Sequence, residues 1–161
     1  MSSPPPSRVL FVCVGNLCRS PMAEAIARHQ VLALGMEGAI EVASAGTQPF
    51  AIGGPAHPGT IAALRAHGIE LAGFAARAVR DADAGDFDRI LAIDRHVMRK
   101  LERLPFGRAR LDLLLPYGGS GLLDVPDPFL RGGFEESYSL LEDACRGLLA
   151  DLLEERRRAG R

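Results

Sequence analysis

The stretch Val9-Leu10-Phe11-Val12-Cys13-Val14-Gly15-Asn16-Leu17-Cys18-Arg19-Ser20-Pro21 decides how the rest of the chain is read. Val9 to Cys13 is short, continuous and apolar, the pattern of a strand buried on both faces of a parallel sheet. The run stops at Gly15. Ser20 and Pro21 then fit an N-cap and a proline at the first helical position, with Glu24 in the first turn and apolar residues through Ile26 and Leu34 to a stop at Gly35. Outward from this strand, loop and helix the alternation repeats: Ile40 to Ser44 as strand, Thr60 to His67 as helix, Arg89 to Ile93 as strand, Val97 to Leu104 as helix, Leu111 to Leu115 as strand. After a loop rich in Pro and Gly, Phe134 to Arg158 carries Phe134, Tyr138, Leu141, Cys145, Leu148 and Leu152 at helical spacing. Strands alternating with helices predict an α/β fold with a parallel sheet covered on both faces. In such folds ligands bind at the carboxyl ends of strands near a topological switch point, which makes the loop after the first strand the place to look.

The whole chain supports this frame and excludes several others. Its 161 residues fit one domain, and 47% apolar with 24% charged residues excludes wholesale disorder, collagen-like repeats and disulfide-dense mini-folds. A formal charge of −1, from 19 basic against 20 acidic residues, leaves no electrostatic footprint for nucleic acid or an anionic membrane. Cys13, Cys18 and Cys145 form no CxxC pair and suit a reducing compartment, and no histidine shows ligand spacing, so neither a disulfide framework nor a metal site is expected. No apolar run approaches the 18 or so residues of a membrane span, and Met1 to Arg8 lacks the charged and apolar regions of a signal peptide, so a cytoplasmic protein is expected. Residues 1–7, with three consecutive prolines, read as a disordered leader; residues 8–161 read as a single domain with a basic helical end at Arg156-Arg157-Arg158. Eighteen arginines against the single lysine Lys100 suit a GC-rich, bacterial genome.

The loop itself carries chemistry. A cysteine ends the strand and an arginine follows six positions later, and the five residues between, Val14, Gly15, Asn16, Leu17 and Cys18, can curl so that backbone N–H groups converge on one anion. The helix that follows points its positive end at the same spot. Helix N-termini and nearby cations favour the thiolate of a cysteine, which makes Cys13 a candidate nucleophile. Arg19 could grip two oxygens of a bound phosphate through its planar fork. Such a pair also recurs by chance in an arginine-rich chain; its place between a buried strand and a helix start is what carries weight. Neither GxGxxG nor GxxxxGK[ST] is present, which removes support for dinucleotide and P-loop nucleotide binding.

Val9 to Ile26 resembles the signature of the low-molecular-weight protein tyrosine phosphatases, and the similarity continues through Ser44-Ala45-Gly46-Thr47, His67-Gly68-Ile69, Ile93-Asp94 and Asp124-Val125-Pro126-Asp127-Pro128. The resemblance covers Arg8 to about Leu153. It implies a four-stranded parallel sheet with helices on both faces, a flavodoxin- or Rossmann-like three-layer arrangement, with the phosphate loop after the first strand. It also implies hydrolysis of phosphotyrosine in proteins, and of small aryl phosphates, through a phosphocysteine, with no cofactor and no metal. On that resemblance Cys13 is the nucleophile, Arg19 the phosphate clamp and Asp127 the general acid and then base. Asn16 and Ser20 match positions that hold the loop's shape, Ser20 also donating to the sulfur, and Ser44 matches a supporting hydroxyl. Cys18 matches a second loop cysteine able to form a reversible disulfide with the nucleophile, a redox guard. Leu17, Phe50 and Phe129 wall the substrate cleft, and Cys145 lies on the apolar stripe of the last helix.

The chain departs from that pattern at Phe50, where the family often has a tryptophan or tyrosine, at Phe129 and Leu130, where it often has two tyrosines, in a short segment between Pro128 and Phe134, and at Phe74, where many members carry a histidine that pairs with the glutamate at Glu24. Glu24 is therefore expected to need another partner. His67 and Asp94 match positions paired away from the cradle, and His29, His57 and His96 read as surface residues. Two alternatives stay open: arsenate reduction on the same fold, which needs further cysteines where Arg77 to Ile93 has none, and a phosphotyrosine-binding module with weak catalysis.

Overall fold

The computed structural model describes residues 4–105 and 107–160. Its elements, in chain order, are β1 (Ser7–Cys13), α1 (Arg19–Ala33), β2 (Ile40–Gly46), α2 (Pro58–Ala66), α3 (Asp83–Asp86), β3 (Arg89–Ala92), α4 (Arg95–Leu101), β4 (Arg110–Leu113), α5 (Pro128–Arg131) and α6 (Phe134–Ala159). The four strands form one parallel sheet in the order β2-β1-β3-β4. This is the three-layer α/β arrangement expected from the sequence.

Alternation along β1 explains the layers. Val9, Phe11 and Cys13 face one core, where they meet Met22, Ile26, Leu141, Cys145 and Leu148 of α1 and α6. Leu10 and Val12 face the other, with Ile90, Ala92, Val97 and Leu101 of β3 and α4. A strand buried on both sides cannot alternate apolar with polar residues, which is why Val9 to Cys13 is a continuous apolar run. Cys145 is fully buried, and burial alone pushes its thiol up from the ordinary range.

The chain leaves β1 toward β2 on one side and returns to β3 on the other, so the switch point lies between the carboxyl ends of β1 and β3. Ile93 N–H donates to Val12 O at 3.0 Å, and Val125 N–H donates to Ile93 O at 3.1 Å. The loops after β1, after β3 and before α5 therefore converge at one edge.

Several boundaries differ from the sequence expectation. β1 begins at Ser7, one residue into the expected leader, and Arg156 Nη1 holds Pro5 O at 2.9 Å and Ser7 Oγ at 3.1 Å. Residues 1–3 of that leader lie outside the described residues. α1 begins at Arg19 with Cys18 as its N-cap residue, so Ser20 is inside the helix and Glu24 beyond the first turn. Ser20 does not cap, because its hydroxyl is engaged with Cys13 instead. β2 runs on to Gly46, and α4 starts at Arg95, capped by Asp94, whose Oδ1 accepts from Val97 N–H at 2.8 Å. Among the described residues, no helix is long and apolar enough to cross a membrane.

Candidate active site

The loop from Cys13 to Arg19 is locked from behind by one asparagine. Asn16 has a φ of 53°, in the left-handed region that a non-glycine residue adopts only when its surroundings compensate. Its fully buried side chain supplies the compensation: Nδ2 donates to Ser20 Oγ at 2.9 Å and to Ser44 Oγ at 3.0 Å, and Oδ1 accepts from Arg77 N–H at 2.9 Å. With both amide protons and the carbonyl used, the side chain has one orientation.

That network ends on the sulfur. Ser20 Oγ lies 2.8 Å from Cys13 Sγ, and Ser44 Oγ donates to Glu24 Oε1 at 2.7 Å, leaving its lone pairs for Asn16. Because Asn16 donates to Ser20, the serine oxygen keeps its own proton to offer to the sulfur. Glu24 is held by Ser44 and, through Oε2, by Arg28 at 2.9 Å, which answers the expectation that it needs another partner. Phe74 packs instead against the small cluster of Leu17, Cys18 and Ala76.

Around Cys13 the loop backbone is held by its carbonyls and leaves its donors open. Among the described residues no oxygen accepts from the N–H groups of Val14, Gly15, Asn16, Leu17 or Cys18, although buried N–H groups are otherwise paired almost without exception. The loop carbonyls are taken: Cys13 O accepts from Thr47 N–H, Val14 O from Gln48 N–H, and Leu17 O from His57 N–H, each at 2.9 Å. Gly46, opposite Cys13 in the sheet register, permits this closeness, since a Cβ there would lie 2.5 Å from Val14 O and 2.9 Å from Asn16 N.

Arg19 is 3% exposed, and its guanidinium is aimed by two partners: Nη1 donates to Asp94 Oδ2 and to Val125 O, both at 2.7 Å. Its Nη2 is 3.8 Å from Asp127 Oδ2. Asp94 thus backs Arg19 at the site, correcting the expectation that it pairs with His67 away from the cradle; it stands two residues past the end of β3, at the switch point. His67 Nε2 is 3.0 Å from Glu135 Oε2, and its ring stacks on Tyr138 at 3.7 Å.

Asp127 caps α5, its Oδ1 accepting from Phe129 N–H at 3.1 Å, and its side chain is half exposed. The cleft is lined by Cys13, Arg19, Asp127 and the walls Leu17, Phe50 and Phe129, with Gln48. Phe50 and Phe129 meet edge to face at 6.1 Å. Cys18 is buried within the loop, and its thiol is pushed up to about 12 by burial first, then by the nearby Asp127 and Cys13, with Arg19 offsetting part.

The structure brings Cys13, Leu17, Cys18, Arg19, Phe50, Asp127 and Phe129 around one cleft, with Asn16, Ser20 and Ser44 bonded behind the loop, whereas His67 and Cys145 lie elsewhere. Sequence reasoning missed Gln48, Arg77, Gly46 and the position of Asp94. The end of β3 was a legible signal for Asp94, because the switch point has two sides. His57, expected on the surface, is half buried at the start of α2. His29 and His96 are exposed.

Residues 8–158 match the family model described as low molecular weight phosphotyrosine protein phosphatase. The chain is 44% identical over 151 residues to the low molecular weight protein-tyrosine-phosphatase YfkJ of Bacillus subtilis, covering 92% of this chain and 97% of that protein. It is 43% identical over 156 residues to a low molecular weight protein-tyrosine-phosphatase of Streptomyces coelicolor, covering 92% and 94%. The crystal structure of YfkJ superposes with a TM-score of 0.91 at 42% identity, over 96% of this chain and 99% of that one.

Proposed function

This chain belongs to the low molecular weight phosphotyrosine protein phosphatase family, and from that premise we propose how its own residues carry out the hydrolysis of phosphotyrosine. The observation that carries the proposal is the joining of Cys13 Sγ, the unpaired N–H groups of its loop and the Arg19 guanidinium in one cleft. A phosphoryl group in this cleft presents its non-bridging oxygens to those N–H groups and to Arg19, which gather charge as it spreads over them in transfer. The aryl ring of the substrate lies between Leu17, Phe50 and Phe129, with the phosphorus in line with Cys13 Sγ.

In the first step Cys13 Sγ forms an S–P bond as the P–O bond to the phenolic oxygen breaks, and Asp127 gives its proton to that oxygen. In the second, Asp127, now a carboxylate, takes a proton from water as the water oxygen attacks phosphorus and the S–P bond breaks, releasing phosphate and the thiolate. Ser20 supports the sulfur in both steps by donating to it whenever it carries charge. The proton that Asp127 takes in the second step restores the acid it spent in the first, so the cycle closes on the same group. A phosphotyrosine-containing protein is the substrate, with phosphate or another oxyanion as occupant of the loop, and the cytoplasm is the compartment we infer from the cysteine usage. Cys18, held as a thiol, is the residue we place as redox partner of Cys13.

The test is hydrolysis of an aryl phosphate in the presence of a metal chelator, with Cys13→Ser and Asp127→Asn beside the wild type. Turnover that resists the chelator, vanishes in Cys13→Ser and falls about 100-fold or more in Asp127→Asn supports these roles. Binding of phosphotyrosine peptide without phosphate release by the wild type would overturn them.

A further inference from the structure

His57 joins three elements that carry the site. Its N–H donates to Leu17 O at 2.9 Å, and Thr60 Oγ1, in the first turn of α2, donates to Cys18 O at 3.1 Å, so the start of α2 is tied to the cradle loop. Its Nδ1 accepts from Gly59 N–H at 2.9 Å, which sets the plane of the ring. Phe134, the first residue of α6, stacks on that ring with centroids 5.0 Å apart and planes 23° from parallel. Phe129 of α5 meets it edge to face at 5.7 Å. The stack depends on residue 59 being glycine, because a Cβ there would lie 2.4 Å from Phe134 Cε2.

The element that needs this support is α5. It is a single turn, Pro128–Arg131, and an isolated turn has no helical stability of its own. Pro128 is buried, but Phe129 is 43% and Leu130 88% exposed, so the turn holds to the core through its first residue alone. Asp127 is coupled to it through the bond from Phe129 N–H. Whatever seats Phe129 therefore also sets where the Asp127 carboxyl stands over the cleft, and the rings of His57 and Phe50 are what Phe129 rests on.

We propose that His57 is a positioning residue for Asp127: its ring, clamped between Phe134 and Phe129, holds the α5 turn so that the carboxyl reaches the departing oxygen. This rests on the reading of Asp127 as the general acid. The consequence is selective. A phenolate that leaves poorly needs the proton at the moment the P–O bond breaks, whereas a strongly activated one does not, so a misplaced acid penalises poor leaving groups.

The experiment compares kcat/KM, which reports the step that breaks the P–O bond, for phenyl phosphate and 2,4-dinitrophenyl phosphate. The proteins are wild type, His57→Ala, His57→Asp, which keeps an acceptor for Gly59 N–H without a ring, and His57→Phe, which keeps a ring without the acceptor. Asp127→Asn alone and combined with His57→Ala completes the set. His57→Ala and His57→Asp should lose about tenfold on phenyl phosphate and less than about twofold on the dinitrophenyl ester, with His57→Phe recovering most of the loss. Adding His57→Ala to Asp127→Asn should cost nothing further. Equal losses on both esters, a loss in His57→Phe as large as in His57→Asp, or an additive loss on top of Asp127→Asn would each overturn the proposal. If Asp127→Asn itself spares poor leaving groups, the acid assignment fails and this proposal with it, and a wild type inert toward both esters would instead refute the hydrolase mechanism.

Discussion

Arg19 shows how much of this site depends on a single buried charge. A guanidinium at 3% exposure is costly unless its donors are met, and Asp94 Oδ2 and Val125 O meet them while turning Nη2 toward the cleft. Asp94 does two jobs with two oxygens, since Oδ1 caps α4. Asp94→Asn keeps an oxygen for one of those tasks and removes the negative charge beside Arg19, whereas Asp94→Ala removes everything. We expect kcat/KM on an aryl phosphate to fall about tenfold in Asp94→Asn and about 100-fold in Asp94→Ala, with the alanine variant also about 1 kcal/mol less stable from the lost cap. Steady-state kinetics beside denaturant unfolding separates the two effects. A kinetic loss no larger than the stability loss explains would remove Asp94 from the site. The motif around Ile93-Asp94 was visible in the sequence, but its partner was not, because Arg19 and Asp94 are 75 residues apart and meet only through the pairing of β1 with β3.

The carboxyl end of β2 is the element on which the cradle rests. Gly46 N–H donates to Arg77 O and its carbonyl accepts from Val79 N–H, so β2 bridges the loop after β1 to the segment that holds Asn16. A methyl group at Gly46 would meet backbone atoms of Val14, Gly15 and Asn16, none of which can withdraw without opening the loop. Gly46→Ala should therefore cost about 1–3 kcal/mol in denaturant unfolding and reduce kcat more than tenfold under conditions where the variant is fully folded. Unchanged kcat in the folded variant would show that the loop tolerates the displacement. The sequence predicted a strand ending at Ser44, since Ala45-Gly46 has no strand signal of its own, and only the bridge to Ala78 and the register opposite Cys13 extend it. α5 is a similar case: four residues after Pro-Asp-Pro hold no helical periodicity, and their conformation comes from the Asp127 cap and from aromatic contacts made across the cleft.

At the scale of the whole molecule, the support behind the cradle ends in a charge buried completely. Asp83 is 0% exposed; burial pushes its carboxyl up, but hydrogen bonds from Arg77 and from Arg80 N–H, with both guanidinium charges, outweigh this and hold it below the usual carboxylate range. Asp124 is held low as well, chiefly by its hydrogen bonds from Arg95. A carboxylate whose folded pKa lies below its unfolded value contributes stability that is fully present above the unfolded value, near pH 4, and is lost as pH falls through the folded one. Unfolding free energy measured from pH 7 down to pH 2 should be level to about pH 4 and then fall. Asp83→Asn should be about 3 kcal/mol less stable at pH 7 and show a shallower acid limb. An acid limb identical to wild type would rule out Asp83 as a contributor. The chain by itself determined a parallel sheet covered on both faces and the place of the loop from Cys13 to Arg19, because continuous apolar runs, helix starts and a cysteine at a strand end are local signals, whereas Asp127 was singled out only by the family resemblance around Pro126-Asp127-Pro128. Only the tertiary structure decided which groups stand behind them. Asp94 beside Arg19, Arg77 N–H on Asn16, Gly46 against Val14 and His57 under Phe129 join residues that are from 32 to 75 positions apart, and no local pattern encodes a contact that exists only after the strands have paired.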